Sequence, residues 1–243
     1  MNSKTIKNLM TENSQDLTNN IEKPMRTVHS FVKRVGRLTK KQKESLEKYY
    51  PIYGLKYDGE IINFEKVFQN SNPVVLEIGF GMGDSLIEMA LNNPEINYLG
   101  IEVHTPGVGN CLYKIYENNI KNIRVIEHDA IDILDHSIKS GSLAGFQLFF
   151  PDPWPKKKHN KRRIVQEAFI KKITRLINPN GFIHIATDHA GYQEHISEVM
   201  QNSKLINKSE VGNTYGRVLT KFENRGLKLG HEIWDGYYLI TLI

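Results

Sequence analysis

The sequence predicts an α/β fold in which seven mostly parallel strands form a doubly wound sheet. From Asn72 onward, short apolar runs alternate with helical patterns, as in strands that are joined by helices. The chain has 243 residues, of which 40% are hydrophobic, so it can bury one sizeable core. Connections between parallel strands are right-handed, and ligands of such sheets lie beyond the carboxyl ends of the strands. We therefore expect the functional residues at those ends.

The predicted elements follow one another in a regular order. A basic segment, 26–57, precedes the sheet and contains a helical stretch at about 40–50, which we expect to end at Pro51 and Gly54 because both residues favour turns. The predicted strands are 74–78, 97–103, 123–127, 145–150, 181–187, 205–210 (a weak pattern) and 237–243. The predicted helices between them are 84–92, 106–119, 163–177 and 190–202.

Composition argues against several classes of protein. No run approaches the ~18 consecutive apolar residues that a membrane span requires, and residues 1–20 lack the apolar core and the cleavage site of a secretory signal. The single cysteine, Cys111, cannot form an internal disulfide, and we expect it to be a buried, inert thiol. We therefore expect a cytoplasmic protein with a mobile tail at 1–25 and a single domain at 26–243.

Positive charge is concentrated in two places. The formal net charge is +5 and the isoelectric point is about 9.1, which weakly favours a polyanionic partner. Two runs, KRVGRLTKKQK at 33–43 and KKKHNKRR at 156–163, contain six Lys or Arg residues each. Either run taken alone is equally well explained as a solvated face, so its position relative to the site matters more than its charge.

A glycine-rich loop follows the first predicted strand and reads EIGFGMGD at 77–84. The glycines permit a tight turn and bring the backbone close to a ligand. A dinucleotide-binding loop has its third glycine where this chain has Asp84, and an acid there would repel a pyrophosphate. Asp84 instead suits the N-cap of the following helix. The loop favours a ligand without phosphates, although a purely structural turn would contain the same glycines.

Three acidic residues lie at the ends of three successive predicted strands. Glu102 lies where a carboxylate accepts hydrogen bonds from both hydroxyls of a ribose, a need that NAD and S-adenosylmethionine share. Asp129 can accept from an adenine amino group, or it can cap the helix after it. Glu77 would face the positively charged amino-acid end of the cofactor. Together with the glycine loop, these acids resemble the arrangement of Rossmann-like class I methyltransferases, and they predict S-adenosyl-L-methionine as the cofactor.

The fourth predicted strand leads into the loop PDPWPKKK, which begins at Pro151. Three prolines within five residues fix φ and stiffen the loop. A stiff loop can hold the Asp152 carboxylate and the Trp154 indole at the mouth of the cofactor pocket, although a rigid structural corner would look the same. Trp154 can stack on a base or pack against the protein.

Seven sequence blocks carry a resemblance to one family, namely VHSFVKRVGRLTKKQ, LEIGFGMG, GIEVHTPGVG, HDA, FPDPWPKKKHNKRR, ATDHAGY and TKFENRG. Over 26–243 they resemble the bacterial tRNA (guanine-N7-)-methyltransferase family. The resemblance implies an S-adenosylmethionine-dependent enzyme that forms N7-methylguanosine in the variable loop of tRNA. The chain departs from the family pattern at Thr105, where a basic residue is common, and at Lys221, where arginine is expected. A lysine keeps the charge of arginine but loses its bidentate geometry.

The resemblance also implies a role for each group of residues. The cofactor set comprises Glu77, Glu102, Asp129 and Asp152. The substrate set comprises Lys156, Asp188, Thr220, Lys221, Phe222 and Glu223. The RNA-contacting set comprises Lys158, His159, Asn160, Lys161, Arg162 and Arg163. Asp152 is the expected catalytic residue.

The chemistry of guanine agrees with this assignment. Its N7 carries a lone pair and needs no deprotonation before it attacks a methyl group. The site must therefore align N7 and manage charge, and Asp152 can stabilise the positive charge that develops on the base or accept from the guanine N1 and N2 edge. The histidines lack the spacing of metal ligands, so we expect no metal.

Three other functions compete with this interpretation. A methyltransferase that acts on a small molecule or a protein would leave the basic run 156–163 without a function. A non-catalytic RNA-binding protein would have lost the cofactor acids, all of which are present. An NAD-dependent oxidoreductase is disfavoured by Asp84. The sequence leaves open whether the protein is a monomer or a homodimer.

Overall fold

The computed structural model describes residues 36–203, 206–209, 223, 230 and 232–241. The predicted tail at 1–25 lies outside these residues. The strands are β1 (Val74–Ile78), β2 (Asn97–Glu102), β3 (Ile123–Glu127), β4 (Leu143–Phe149), β5 (Ile177–Thr187), β6 (Ile206–Lys208) and β7 (Trp234–Ile240). They form one seven-stranded sheet with the order β3-β2-β1-β4-β5-β7-β6. The first five strands are parallel, and β7 is antiparallel to both of its neighbours. The predicted fold class is therefore confirmed.

Helices cover both faces of the sheet. They are α1 (Lys40–Tyr53), α2 (Phe64–Phe68), α3 (Asp84–Asn92), α4 (Thr105–Glu117), α5 (Ala130–His136), α6 (Glu167–Leu176) and α7 (Ala190–Gln201), and a 3₁₀ helix spans Lys157–Arg162. None of the helices in the described part of the chain is long and apolar enough to cross a membrane.

The register of the parallel strands brings their carboxyl ends to one edge. Ile78 at the end of β1 is aligned with Ile101 of β2 and with Leu148 of β4. Glu102 of β2 is aligned in turn with Glu127 of β3. The direction of chain progression reverses between β1 and β4, and a doubly wound sheet opens a crevice at such a point.

Two buried apolar clusters lie on opposite faces of the sheet. Leu76 belongs to the cluster under α5, α6 and α7, whereas its neighbour Val75 belongs to the cluster under α3 and α4. Successive strand residues point to opposite faces, so a strand that is buried throughout serves both clusters. All five residues of β1 are buried. This double burial explains why the strand reads as a continuous apolar run in the sequence.

The first helix ends at one of the two turn-favouring residues, Gly54, whereas Pro51 does not end it. It continues through Pro51 to Tyr53, and Gly54 occupies the C-cap. Gly54 donates to the Tyr50 carbonyl at 2.8 Å, and the Tyr50 hydroxyl donates to the Leu55 carbonyl at 3.0 Å. These bonds close the last turn although Pro51 has no backbone N–H to contribute.

Asp84 is not the N-cap of α3, which corrects a second prediction. Gly83 occupies the N-cap with φ of 76°, and Asp84 is the first residue of the helix. Its carboxylate forms an ion pair with the Lys114 ammonium of α4. An acid in the first turn still interacts favourably with the helix dipole, so the residue type fits although the position is shifted by one.

Other differences concern the lengths of elements. The helix predicted from residue 163 begins at Glu167, after an extended N-cap residue, Gln166, and the 3₁₀ helix before it ends at Arg162. The short helix α2 was not predicted, and α5 was expected only as the helix after Asp129, without bounds. The last strand begins at Trp234, three residues before its predicted start.

Candidate cofactor and RNA site

A cavity of about 410 Å³ lies at the carboxyl ends of β1 to β4. This volume is typical of a site for a small ligand. Its described lining includes Gly79, Glu102, His104, Asp129 and Asp152. Three of the four acids that the sequence assigned to the cofactor therefore border one cavity, at the predicted edge of the sheet. No lysine or arginine occurs in the described lining.

The Glu102 carboxylate holds the glycine loop. One carboxylate oxygen accepts from the Gly81 amide at 2.8 Å, and the other accepts from the amides of Val103 and His104 at 2.7 and 2.9 Å. The residue is only 9% exposed. Three backbone donors therefore converge on one carboxylate, which fixes its orientation. Sequence reasoning assigned Glu102 to a ribose and missed this contact, because nothing in the local sequence connects it to the loop.

The glycine loop packs closely against the start of α4. Gly81 has φ of 57°, a left-handed conformation that L side chains rarely adopt. A Cβ atom at Gly107 would lie 2.2 Å from the Gly81 carbonyl oxygen. Gly107 is therefore required by contact, and Gly81 by backbone conformation. Both constraints hold the loop between Glu102 and α4.

Asp129 caps the helix that follows it. One of its carboxylate oxygens accepts from the Ile131 amide at 2.9 Å, which is the N-cap geometry of α5. The N-cap interpretation is thus confirmed, and the cap also holds the carboxylate at the cavity. The contact with adenine stays a prediction.

Glu77 lies deeper than the other acids and is only 2% exposed. The described lining of the cavity does not include it. Burial raises the pKa of the Cys111 thiol, and the nearby Glu77 carboxylate acts in the same direction. Cys111 is 0% exposed and remains protonated, so the prediction of a buried, inert thiol is confirmed.

His128 is a cavity residue that sequence reasoning did not single out. Its Nε2 lies 2.9 Å from the Asp132 carboxylate, and its ring lies 4.3 Å from the Tyr57 ring, centroid to centroid. The spacing of four residues between His128, just before the N-cap, and Asp132, in the first turn of α5, lets the two meet across the start of the helix. That spacing was visible in the sequence, whereas the contact with Tyr57 was not.

The loop that follows β4 is bracketed by two residues in the left-handed region. Phe150 has φ of 51° and Trp154 has φ of 42°. Such conformations cost non-glycine residues about 1–3 kcal/mol each and persist only where surrounding contacts hold them. One such contact is the hydrogen bond of 2.9 Å from the Phe150 amide to the Ala186 carbonyl of β5. Asp152 lies between these two residues with an exposed side chain.

Arg163 holds the other end of this loop from inside the protein. Its Nε donates to the Pro153 carbonyl at 2.9 Å, and its Nη1 donates to the Gly191 carbonyl of α7 at 3.0 Å. The side chain is only 5% exposed, and its guanidinium lies 4.9 Å from the centre of the Tyr192 ring. The sequence grouped Arg163 with the RNA-contacting residues, but the structure places it apart from them.

The remainder of the basic run forms an exposed surface. Lys156, Lys157, Lys158 and Lys161 are exposed, and Arg162 is half-buried with its guanidinium 4.9 Å from the centre of the Trp154 ring. His159 meets the same ring edge-on at 5.8 Å. Trp154 therefore packs against protein side chains, which supports the packing alternative for this residue.

The charges of this surface act on His159. Desolvation and the positive charges of Arg162, Lys158 and Lys156 lower the pKa of this histidine. At pH 7 it is therefore mostly neutral, and in that form it can donate or accept a hydrogen bond without adding charge.

The predicted substrate residues are only partly described. Asp188 directly follows β5, beside the N-cap His189 of α7, and is half-buried. Glu223 is 1% exposed. Thr220, Lys221 and Phe222 lie outside the described residues. The structure thus brings Asp188 to the strand end next to that of Asp152, because β4 and β5 are parallel neighbours.

Thr105 is one of the two departures from the family pattern, and its environment accommodates it. The Thr105 hydroxyl donates to the Glu127 carboxylate at the end of β3. This bond connects the first turn of α4 to the neighbouring strand end. Within the described ranges, no group of three or more His, Cys, Asp and Glu side chains is placed to hold a metal ion.

Comparisons with known proteins agree with this geometry. A family described as putative methyltransferase matches residues 71–236. A protein of Pasteurella multocida named tRNA (guanine-N(7)-)-methyltransferase is 51% identical over 219 residues, covering 88% of this chain and 86% of the relative. A protein of the same name from Actinobacillus succinogenes is 53% identical over 222 residues, covering 88% of each chain.

Among solved structures, an rRNA methylase from Streptococcus thermophilus aligns with a TM-score of 0.50 and 11% identity. It covers 71% of this chain and 89% of the methylase, and at this identity the likeness shows the fold alone. The sequence relatives cover most of both chains at more than half identity, which settles the family. The chain belongs to the tRNA (guanine-N7-)-methyltransferase family of S-adenosylmethionine-dependent enzymes.

Proposed function

We propose that this chain transfers a methyl group from S-adenosylmethionine to N7 of a guanine in the variable loop of tRNA, and that it does so in the cytoplasm. One observation carries the proposal. The loop after β4 places Asp152 at the rim of the cavity, and the cationic 3₁₀ helix begins five residues later, at Lys157. A cavity for the donor, a carboxylate and a surface for a polyanion therefore adjoin one another.

The residues of the cavity fit the proposed cofactor. S-adenosylmethionine supplies an electrophilic methyl group, and it has a cationic amino-acid end and no phosphate. A described lining that contains acids but no lysine or arginine suits such a ligand better than a dinucleotide. In this proposal Glu102 accepts from the ribose, Asp129 from the adenine amino group, and Glu77 faces the amino-acid end.

Carboxylates at neighbouring strand ends would hold and stabilise the guanine. Asp152 follows β4, and Asp188 follows β5, which is its parallel neighbour. Because N7 attacks with its own lone pair, the base becomes positively charged during transfer and no side chain has to remove a proton first. We propose that Asp152 stabilises this charge, and that Lys156, Asp188 and Glu223 help to orient the base.

Two basic segments border the cavity and would contact the RNA backbone. The first is the 3₁₀ helix, with Lys158, His159, Asn160, Lys161 and Arg162. The second is the described part of the run 33–43. A Cβ atom at Gly36 would lie 3.2 Å from Nε2 of His104, which lines the cavity. Lysines and arginines on both sides of the site would attract tRNA by releasing its counterions.

Mass spectrometry of nucleosides tests the proposal. The full chain is incubated with S-adenosylmethionine and an unmodified tRNA transcript, and the RNA is digested to nucleosides. We expect N7-methylguanosine in the variable-loop fragment, and no methylation of free guanosine monophosphate under the same conditions. Methylation of the mononucleotide at a comparable rate would indicate a small-molecule enzyme, and a different methylated nucleoside would contradict the proposed reaction.

A further inference from the structure

We propose that Arg163 is a positioning residue that holds the loop of Asp152 against α7, and that it does not contact RNA. This inference rests on the proposed function, because it assigns to Arg163 a part in the transfer step at that same site. It separates Arg163 from the basic run in which the sequence places it.

The two carbonyls that Arg163 binds belong to the two segments that carry Asp152 and Asp188, the carboxylates proposed to act on the guanine. Pro153 directly follows Asp152 in the loop after β4. Gly191 lies in the first turn of α7, three residues after Asp188. The distances from the guanidinium to these carbonyls are 2.9 and 3.0 Å. One planar side chain therefore spans the gap between the ends of β4 and β5.

The guanidinium is enclosed by protein. Arg163 is 5% exposed, whereas Lys161, two residues before it, is exposed. The Tyr192 ring lies against the guanidinium at 4.9 Å. A charge that is buried in this way, with its donors directed at backbone carbonyls, is poorly placed to reach a phosphate.

The segment that carries Arg163 is itself fixed to α7. The Tyr192 hydroxyl accepts from the Val165 amide at 3.3 Å, and Nε2 of His195 lies 2.7 Å from the Val165 carbonyl. The pKa of Tyr192 is raised to about 12, mainly by burial; the nearby Asp152 carboxylate acts in the same direction, and Arg163 opposes it. Tyr192 thus stays protonated, and both Asp152 and Arg163 lie within its electrostatic reach.

The loop depends on such anchoring because its backbone is unfavourable without it. Phe150 and Trp154, on the two sides of Asp152, both have positive φ. The Phe150 amide is held by β5, and Arg163 supplies the hydrogen bond at Pro153. Without Arg163 the loop can relax, and Asp152 would leave its place relative to Asp188.

The test compares substitutions of the buried Arg163 with a substitution of an exposed lysine in the same basic run. Arg163→Lys keeps the charge, but a single ammonium on a flexible stem cannot hold both carbonyls in the planar geometry of arginine. Arg163→Ala removes the side chain, and Lys161→Ala is the matched exposed control. Two quantities are measured for each variant, namely the single-turnover rate at saturating tRNA and S-adenosylmethionine, and the slope of log Kd for tRNA against log salt.

We expect both Arg163 variants to lower the single-turnover rate at least tenfold and to keep the wild-type salt slope. Lys161→Ala should weaken tRNA binding and make the slope shallower by roughly one unit or slightly less. Methylguanidinium added to Arg163→Ala should restore part of the rate, which a general loss of stability would not allow. Wild-type rates together with a shallower slope in the Arg163 variants would overturn the proposal.

Folding is checked by thermal melting and by the affinity for S-adenosylhomocysteine. If both Arg163 variants lose cooperative melting, the residue is needed for folding, and the positioning proposal is wrong. If the wild-type chain forms no N7-methylguanosine, the proposed function itself fails. An active wild type with equally active Arg163 variants would refute the inference on Arg163 alone.

Discussion

The Glu102 carboxylate at the end of β2 accepts a hydrogen bond of 2.8 Å from the amide of Gly81, in the loop after β1. Two neighbouring strand ends are thereby joined through one side chain. The same carboxylate accepts from two further amides that follow β2. The shape of the glycine loop, and with it the wall of the cavity, depends on an acid that lies more than twenty residues away in the sequence.

Replacing Glu102 tests whether the shape of the cavity wall depends on its carboxylate. Glu102→Gln places an amide NH₂ group where backbone N–H donors converge, so at least one of these donors loses its partner. A buried donor without a partner costs about 1–3 kcal/mol. Where this cost falls on the ligand-bound form of the loop, it corresponds to roughly 5- to 150-fold in affinity. Calorimetry with S-adenosylhomocysteine should show this loss. The exposed Glu95→Gln is the matched control, and wild-type affinity in Glu102→Gln would contradict the assignment.

The role of Asp152 is tested by two substitutions with different chemistry. Asp152→Ala should fold normally and lower the rate of methyl transfer by ~100-fold or more if the carboxylate stabilises charge in the transition state. Asp152→Asn keeps an acceptor oxygen and loses the charge. A rate loss as large as that of Asp152→Ala would show that Asp152 acts through its charge, and a mild loss would show that it positions the base by hydrogen bonding. Single-turnover rates at saturating cofactor and tRNA measure the step directly. If both variants react at the wild-type rate, Asp152 is not catalytic.

The exposed part of the basic run should determine the salt dependence of tRNA binding. A variant in which Lys158, Lys161 and Arg162 are changed to Ala should bind tRNA more weakly, with a slope against log salt that is shallower by about two to three units. Its affinity for S-adenosylhomocysteine should be nearly unchanged. Lys121→Ala, an exposed lysine just before β3, is the control. If the triple variant binds tRNA with the wild-type salt slope, the run does not contact the RNA backbone and is only a solvated face.

Two glycines that lie in the first turns of helices should respond differently to the same substitution. A Cβ atom at Gly107 would lie 2.2 Å from the Gly81 carbonyl, whereas at Gly191 it would lie 3.4 Å from the nearest atom, in His189. Gly107→Ala should therefore lower the free energy of unfolding by about 1–3 kcal/mol. Gly191→Ala should leave it unchanged or raise it by up to about 1 kcal/mol. Urea titrations measure both values, and equal stabilities would show that the loop can move away from α4.

The sheet and its functional edge could be predicted because they depend on local patterns. Strands that are buried on both faces are apolar along their whole length, as β1 is. Parallel strands place Glu102, Asp129 and Asp152 at one edge without any knowledge of tertiary contacts. Helices α2 and α5, of five and seven residues, are too short to show a helical period, so α2 was not predicted and α5 was expected only as a helix after Asp129, without bounds.

The functions of individual charges could not be predicted in the same way. In the run 156–163 every cation looks alike, and only packing shows that Arg163 is enclosed while Lys161 is exposed. Likewise, Asp84 looked like an N-cap, but Gly83 adopts that position because its φ of 76° favours glycine. Side-chain packing decides the first case and backbone conformation the second, and neither can be read from the local sequence.

The identity of the methylated atom is the central claim, and an analogue that lacks this atom tests it most directly. In a tRNA transcript made with 7-deazaguanine, position 7 is a carbon without a lone pair, and the Watson–Crick edge is unchanged. Transfer of labelled methyl groups to this transcript is measured beside transfer to the ordinary transcript, at saturating concentrations of both substrates. We predict labelling of the ordinary transcript and none of the analogue, although the two bind alike. Equal labelling of the two transcripts would contradict the account.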